Sequence, residues 1–179
     1  MKKIKFYPLA LLALTLTAGS GVFAEMNEPV LGAKDTANVL NRLVERTIDG
    51  QKGFQNAAEI IDSKSLKDRF EDKAKQHGKF SEELKSYVNS LGQDAANSGT
   101  IGGTVQRAWI DVKAAVQKKD DVSILEAVKN GEAEVLEAYR DALGENLPQE
   151  ARKIVERQED AIQSSYEWVF DNLQKAKSA

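Results

Sequence analysis

Four polar side chains fall where the spacing of apolar residues predicts the inner face of a helix. They are Gln51, His77, Glu132 and Gln158, and each lies within about 20° of an apolar stripe when residues are placed at about 100° intervals. Each belongs to a different predicted helix. Imidazole, carboxylate and amide groups that meet inside a bundle can hydrogen-bond one another or bind a metal ion.

The heights of these four side chains along the predicted helices agree with one another. Gln51 and His77 lie about 12 to 14 residues either side of one predicted turn, which is about 20 Å at 1.5 Å per residue. Glu132 and Gln158 lie at the same distance from a second predicted turn. We therefore expect one polar layer near the middle of a bundle.

This layer contains too few metal ligands for a di-metal centre. Such centres in helical bundles take a Glu from two helices and a Glu-x-x-His motif from the other two. Here Ala74 stands three residues before His77, which is the only histidine of the chain. The preferred interpretation is a buried hydrogen-bonded cluster that fixes the register of the helices. The alternative is one weakly bound divalent metal on His77 and Glu132, completed by amide oxygens and water.

Catalytic residues and a cofactor are not predicted. No serine or threonine nucleophile stands beside a recognisable base, and the single histidine is assigned to the interior. A non-enzymatic protein is the expectation.

Apolar residues at three- and four-residue spacing predict four long helices. The first begins near Asp35, with Asp35 or Thr36 as its cap, and the second follows a short break with Ser65 in a capping box. The third begins at residues 120–121, and the fourth near Pro148. Short turns pair them as two antiparallel hairpins. A shorter amphipathic segment, residues 104–118, is expected to cross over between the hairpins, as in a ferritin-like four-helix bundle.

The N-terminus has the pattern of a secretory signal peptide. Residues 1–6 contain three lysines, the stretch from residue 4 to residue 18 is almost entirely apolar, and Ala24 ends a suitable cleavage site. We expect a signal peptide at residues 1–24, a flexible leader at residues 25–34 and the bundle at residues 35–179. The absence of cysteine excludes lipid attachment, disulfides and thiolate metal sites. The predicted location is the periplasm, with no membrane span after cleavage.

The charge of the mature chain argues against nucleic acid as a partner. When the three lysines of the signal are removed, 25 basic residues become 22, against 28 acidic residues. Such an acidic protein lacks the electrostatic footprint of nucleic-acid binding. A protein partner and a homo-oligomer both stay open.

Several short motifs resemble one family. They are Leu40-Asn41-Arg42-Leu43-Val44-Glu45, Asp49-Gly50, Gly53-Phe54, Ala57-Ala58-Glu59, Phe80, Glu83-Leu84, Arg107-Ala108-Trp109-Ile110, Ile124-Leu125-Glu126 and Gly131-Glu132. Together they are similar to uncharacterised bacterial four-helix-bundle proteins, classed as ferritin-like, that carry a domain of unknown function. The resemblance implies an up-and-down bundle with a crossover helix and brings no reaction. The expected function is that of an exported envelope stress or interaction protein; the alternative is an iron oxidase or storage-like protein with a reduced site.

Overall fold

A computed structural model describes residues 29–99 and 120–178. These residues form four long helices: α1 (Ala33–Ile60), α2 (Lys64–Ser90), α3 (Asp121–Gly144) and α4 (Gln149–Ser178). The prediction of an all-α four-helix bundle is confirmed. The predicted signal peptide, residues 25–28 of the predicted leader and the crossover at residues 104–118 lie outside the described residues.

The helix starts differ from the prediction by about one half-turn at α1 and α2. Helix α1 begins at Ala33, and Gly32 precedes it without a side-chain cap, so Asp35 and Thr36 lie inside the first turn. Helix α2 is capped by Ser63, whose side chain accepts a hydrogen bond from the backbone of Leu66. The caps predicted for α1 and α2 are therefore wrong. Both helices begin before the first residue of the apolar stripe from which their starts were predicted. Helix α3 begins where predicted, and Asp120 caps it by accepting a hydrogen bond from the Ser123 amide at 2.7 Å.

Contacts at the two ends define the topology. At one end the Asp62 amide, after α1, lies 3.4 Å from Asp121 Oδ1 at the start of α3. At the other end the Leu31 amide donates to the carbonyl of Asn146, just beyond α3, at 2.9 Å. Helices α1 and α3 are therefore antiparallel, so α2 and α3 run in the same direction. The end of α2 and the start of α3 lie at opposite ends of the bundle. Within residues 29–99 and 120–178, no helix combines the length and apolarity of a membrane span.

The apolar core consists of two clusters at different heights. One contains Leu40, Leu43, Phe80, Leu84, Val135, Tyr139, Val155 and Ile162 among others. The other contains Phe54, Phe70, Ala74, Leu125, Val128, Val169 and Leu173 among others. In every helix the change from one cluster to the other occurs at the same level. The buried residues at that level, which we call the mid-bundle layer, are Gly50, Gly53, His77, Gly131, Glu132 and Ser165.

Candidate functional site

A histidine and a glutamate from facing helices pair at the centre of the mid-bundle layer. His77 Nε2 of α2 lies 3.1 Å from Glu132 Oε2 of α3. The exposed fractions of the two side chains are 1% and 0%. Burial of two such groups is costly unless they satisfy each other, so their pairing ties the register of α2 to that of α3.

The imidazole of His77 is held in place by its neighbours on three sides. A Cβ atom at Gly50 would lie 2.5 Å from His77 Nδ1, so the ring packs directly on the backbone of α1. The ring centroid lies 5.4 Å from that of Phe54 and 6.2 Å from that of Phe80. Only glycine at position 50 permits this approach, and the surrounding aromatic rings separate the imidazole from solvent.

Three buried polar atoms of the layer have no hydrogen-bond partner among the described residues. They are His77 Nδ1, Glu132 Oε1 and Ser165 Oγ. Buried polar atoms in native proteins are nearly always paired with protein or with water. The layer therefore contains unused hydrogen-bonding capacity on α2, α3 and α4.

The helix register places Ser165 opposite Glu132. Tyr139 of α3 donates from its hydroxyl to Gln158 Oε1 of α4 at 2.6 Å, which fixes these two residues at one height. Seven residues make two turns of helix and return to nearly the same face. Glu132 lies seven residues before Tyr139, and Ser165 lies seven residues after Gln158 on the antiparallel helix. Both residues are buried.

Lys73 of α2 interacts electrostatically with Glu132. Desolvation of its half-buried side chain lowers the pKa of Lys73, and the attraction of Glu132 opposes that shift. The nearby charge of Arg69 also lowers it, while Asp72 raises it. Lys73 therefore lies within electrostatic reach of the buried carboxyl group.

A second polar network lies two turns from the layer. Gln158 Nε2 donates to Glu83 Oε2 at 2.7 Å, and Arg157 donates to the other oxygen of Glu83. The hydrogen bond from Arg157, followed by that from Gln158, holds the pKa of Glu83 below its usual value. Burial raises the pKa of Tyr139 well above its usual value, so its phenol stays a hydrogen-bond donor. This network connects the surface of α2 with the core of α3 and α4.

The structure brings together two of the four side chains predicted to meet. His77 and Glu132 are in contact, whereas Gln158 belongs to the second network. Gln51 is half-buried at the level of His77, and its amide rests on Gly78, where a Cβ atom would lie 3.0 Å from Gln51 Nε2. It lies at the side of the layer and not at its centre.

The offset between α3 and α4 along the bundle axis explains the position of Gln158. Arg152 donates to the carbonyl oxygens of Leu143 and Glu145, so the first turn of α4 lies beside and beyond the end of α3. Counting equal numbers of residues from the turn therefore misaligns the two helices. Ser165 was missed, although it stands on the apolar stripe of α4 between Ile162 and Val169 and could have been found there.

The part of the chain that the structure describes contains no group of three or more His, Cys, Asp or Glu side chains that could hold a metal ion. His77 and Glu132 supply only two such ligands.

Comparison with known protein families assigns most of the described bundle to one family. The family described as "Domain of unknown function (DUF2383)" matches residues 35–145. No curated protein matches the chain. The matched region contains α2 with His77 and α3 with Glu132, whereas Ser165 on α4 lies beyond it.

Proposed function

The chain belongs to the family with the domain of unknown function DUF2383, and from that premise we propose that it is a non-enzymatic helical bundle that acts in the cell envelope as a stress or interaction protein. The observation that carries this proposal is the burial of the only histidine, which is paired with Glu132 and packed on Gly50. A general base must reach its substrate within hydrogen-bond distance, directly or through one water molecule. An imidazole enclosed in this way packs against its neighbours and fixes the register of the helices.

The envelope location rests on the N-terminal sequence. The lysine-containing start, the apolar run and Ala24 at the cleavage position favour export. The lack of cysteine suits a compartment in which thiols are oxidised, and the acidic mature chain favours a protein partner or a second copy over nucleic acid.

The ferritin-like architecture is part of the same proposal. Helices α2 and α3 run in the same direction although they follow each other along the chain, as the contacts at Asp121 and Asn146 require. Two hairpins joined by one long connection are the topology of ferritin-like bundles, which supports this assignment.

A complementation experiment tests the non-enzymatic role. A strain that lacks the protein is challenged with detergent and osmotic shock, and growth is restored with the wild type or with a variant that carries His77→Gln and Glu132→Gln. These amides keep similar volumes but remove the imidazole and the carboxyl group. We expect the variant to restore growth as well as the wild type at equal folded amount. Loss of complementation by a folded variant would contradict a non-enzymatic role.

A matched control separates chemistry from stability in this experiment. Leu125→Ala removes a fully buried side chain from the second apolar cluster and leaves the polar layer intact. If growth depends only on the amount of folded protein, Leu125→Ala and the double amide variant fall on one curve of growth against folded amount. If the imidazole or the carboxyl group takes part in a reaction, only the double amide variant falls below that curve.

The second candidate function is the binding of one divalent metal by His77 and Glu132. The unpartnered Glu132 Oε1 favours this candidate, because a carboxylate oxygen beside a buried imidazole can donate a lone pair to a metal ion. Addition of Mn²⁺, Fe²⁺ or Zn²⁺ should then raise the unfolding temperature of the wild type by mass action and leave the double amide variant unchanged. An equal shift in both proteins would assign the effect to surface carboxylates.

A further inference from the structure

The unpartnered atoms of the mid-bundle layer identify a binding site that the function above does not require. Glu132 Oε1 and Ser165 Oγ are both enclosed, and neither has a hydrogen-bond partner among the described residues. We propose that the layer holds one ordered water molecule that bridges the carboxyl group of Glu132 to the hydroxyl group of Ser165.

The register of α3 and α4 supports a bridge instead of a direct hydrogen bond. Glu132 and Ser165 are set opposite each other by the Tyr139–Gln158 hydrogen bond two turns away. A direct hydrogen bond between them would have left neither atom unpaired, so the two groups are not joined directly. Two buried polar groups that face each other without a direct hydrogen bond are an arrangement in which a bridging water is expected.

The composition of the layer suits a buried water molecule. The two apolar clusters stop on either side of this level, and the buried residues between them include Gly131, Ser165 and Gly50. The space beside Gly50 is filled by the imidazole of His77. A polar site with small residues around it is the type of cavity that buried water occupies.

The hydrogen-bonding capacities match a water molecule. The carboxyl oxygen accepts one water proton, and the serine hydroxyl can accept the second proton or donate to the water oxygen. His77 Nδ1 faces Gly50 and takes no part. Glu132 then has a hydrogen-bond partner on each oxygen, the imidazole on one and the water on the other.

A crystal structure of the full purified protein at about 1.5 Å resolution tests the site directly. We expect one density peak within about 3.2 Å of both oxygens, with the longer distances of water and not the 2.0–2.4 Å of a metal bond. In solution, oxygen-17 relaxation dispersion should count one fewer long-lived water after Ser165→Val. An absent peak would overturn the proposal, and so would a peak at metal distances with anomalous scattering, which would support the metal candidate instead.

Two substitutions at Ser165 distinguish a hydrated site from an empty one. Ser165→Ala keeps room for the water, whereas Ser165→Val fills the space and leaves Glu132 Oε1 without a partner. We expect the denaturant midpoint of Ser165→Val to fall below that of Ser165→Ala. The opposite order would indicate a dry cavity that valine fills, and would overturn the proposal. If Ser165→Val does not fold, the wild-type crystal structure still decides.

Thr47→Val is the matched control for these variants. The buried hydroxyl of Thr47 bonds to the carbonyl oxygens of Leu43 and Val44 in its own helix, at 3.0 and 2.9 Å. Its loss should leave the count of long-lived waters unchanged. A fall in that count with Thr47→Val would show that the readout does not report on the layer. The water site does not depend on the function proposed above, since a protein of any function could contain it.

Discussion

Replacement of Glu132 by leucine tests whether the buried pair fixes the bundle. Glu132 is the hydrogen-bond partner of His77 Nε2, and His77 Nδ1 has no partner of its own. After Glu132→Leu, the imidazole is therefore buried with both nitrogens unsatisfied. An unsatisfied buried polar group costs about 1–3 kcal/mol. For a urea dependence of about 2 kcal/mol per M, the midpoint should fall by about 0.5–1.5 M.

Two further variants establish the origin of this loss. Glu132→Gln keeps an acceptor oxygen opposite His77 and should cost less than Glu132→Leu. The double variant His77→Leu with Glu132→Leu removes both polar groups and adds apolar burial, so its stability should recover toward that of the wild type. Residues in contact give coupling energies of about 0.5–3 kcal/mol in such a cycle.

The assay is equilibrium urea unfolding followed by far-ultraviolet circular dichroism, with midpoint and slope fitted separately. A change in slope reports altered compactness and must not be counted as lost stability. If Glu132→Leu is neutral and the double variant is additive, the two side chains do not interact, and the mid-bundle pair does not fix the register.

Three other predictions concern single positions. Tyr139→Phe should lower the free energy of unfolding by about 1 kcal/mol, because it removes the buried hydrogen bond from the hydroxyl group to Gln158. Burial raises the pKa of Tyr139, so the contribution of its phenol to stability is fully present below the ordinary tyrosine pKa near 10 and is lost as pH rises through the raised pKa. The urea midpoint of the wild type should therefore fall more at alkaline pH than that of the variant. Glu83→Gln should weaken the acid dependence of the thermal midpoint, because the lowered pKa of Glu83 makes its contribution present above the ordinary glutamate value and lost as pH falls through the lowered one. Gly50→Ala should destabilise the protein by about 1–3 kcal/mol, because the new Cβ would collide with the ring of His77. In the same urea titration Gly144→Ala, whose Cβ would meet nothing within 4 Å, should be nearly neutral. Equal losses in both variants would contradict the close packing of His77 on the backbone at Gly50.

The long helices and the buried histidine could be predicted because they depend on local periodicity. Leucine and valine at three- and four-residue spacing fix which face of each helix is buried, whatever its neighbours are. The same wheel placed His77 and Glu132 inside the bundle, and both side chains are almost completely buried.

The partners of the polar side chains could not be predicted in the same way, because they depend on how the helices are offset. The turn between α3 and α4 lets Arg152 reach back to the carbonyl oxygens that end α3, and this offset brings Ser165 to the height of Glu132 and moves Gln158 to Tyr139. Gly50 was not recognised as part of the site, since a glycine gives no signal on a helical wheel. Its role follows only from the position of the His77 ring.

The metal content of the native protein tests the central claim most directly. The protein is purified without a histidine tag from its own host, under conditions that retain bound metal, and analysed for iron, zinc and manganese. A bundle in which His77 and Glu132 serve register should contain less than one metal per chain, since one imidazole and one carboxyl group leave the remaining ligands to neutral groups and water. One or two metals per chain, lost on His77→Gln with Glu132→Gln, would contradict the account.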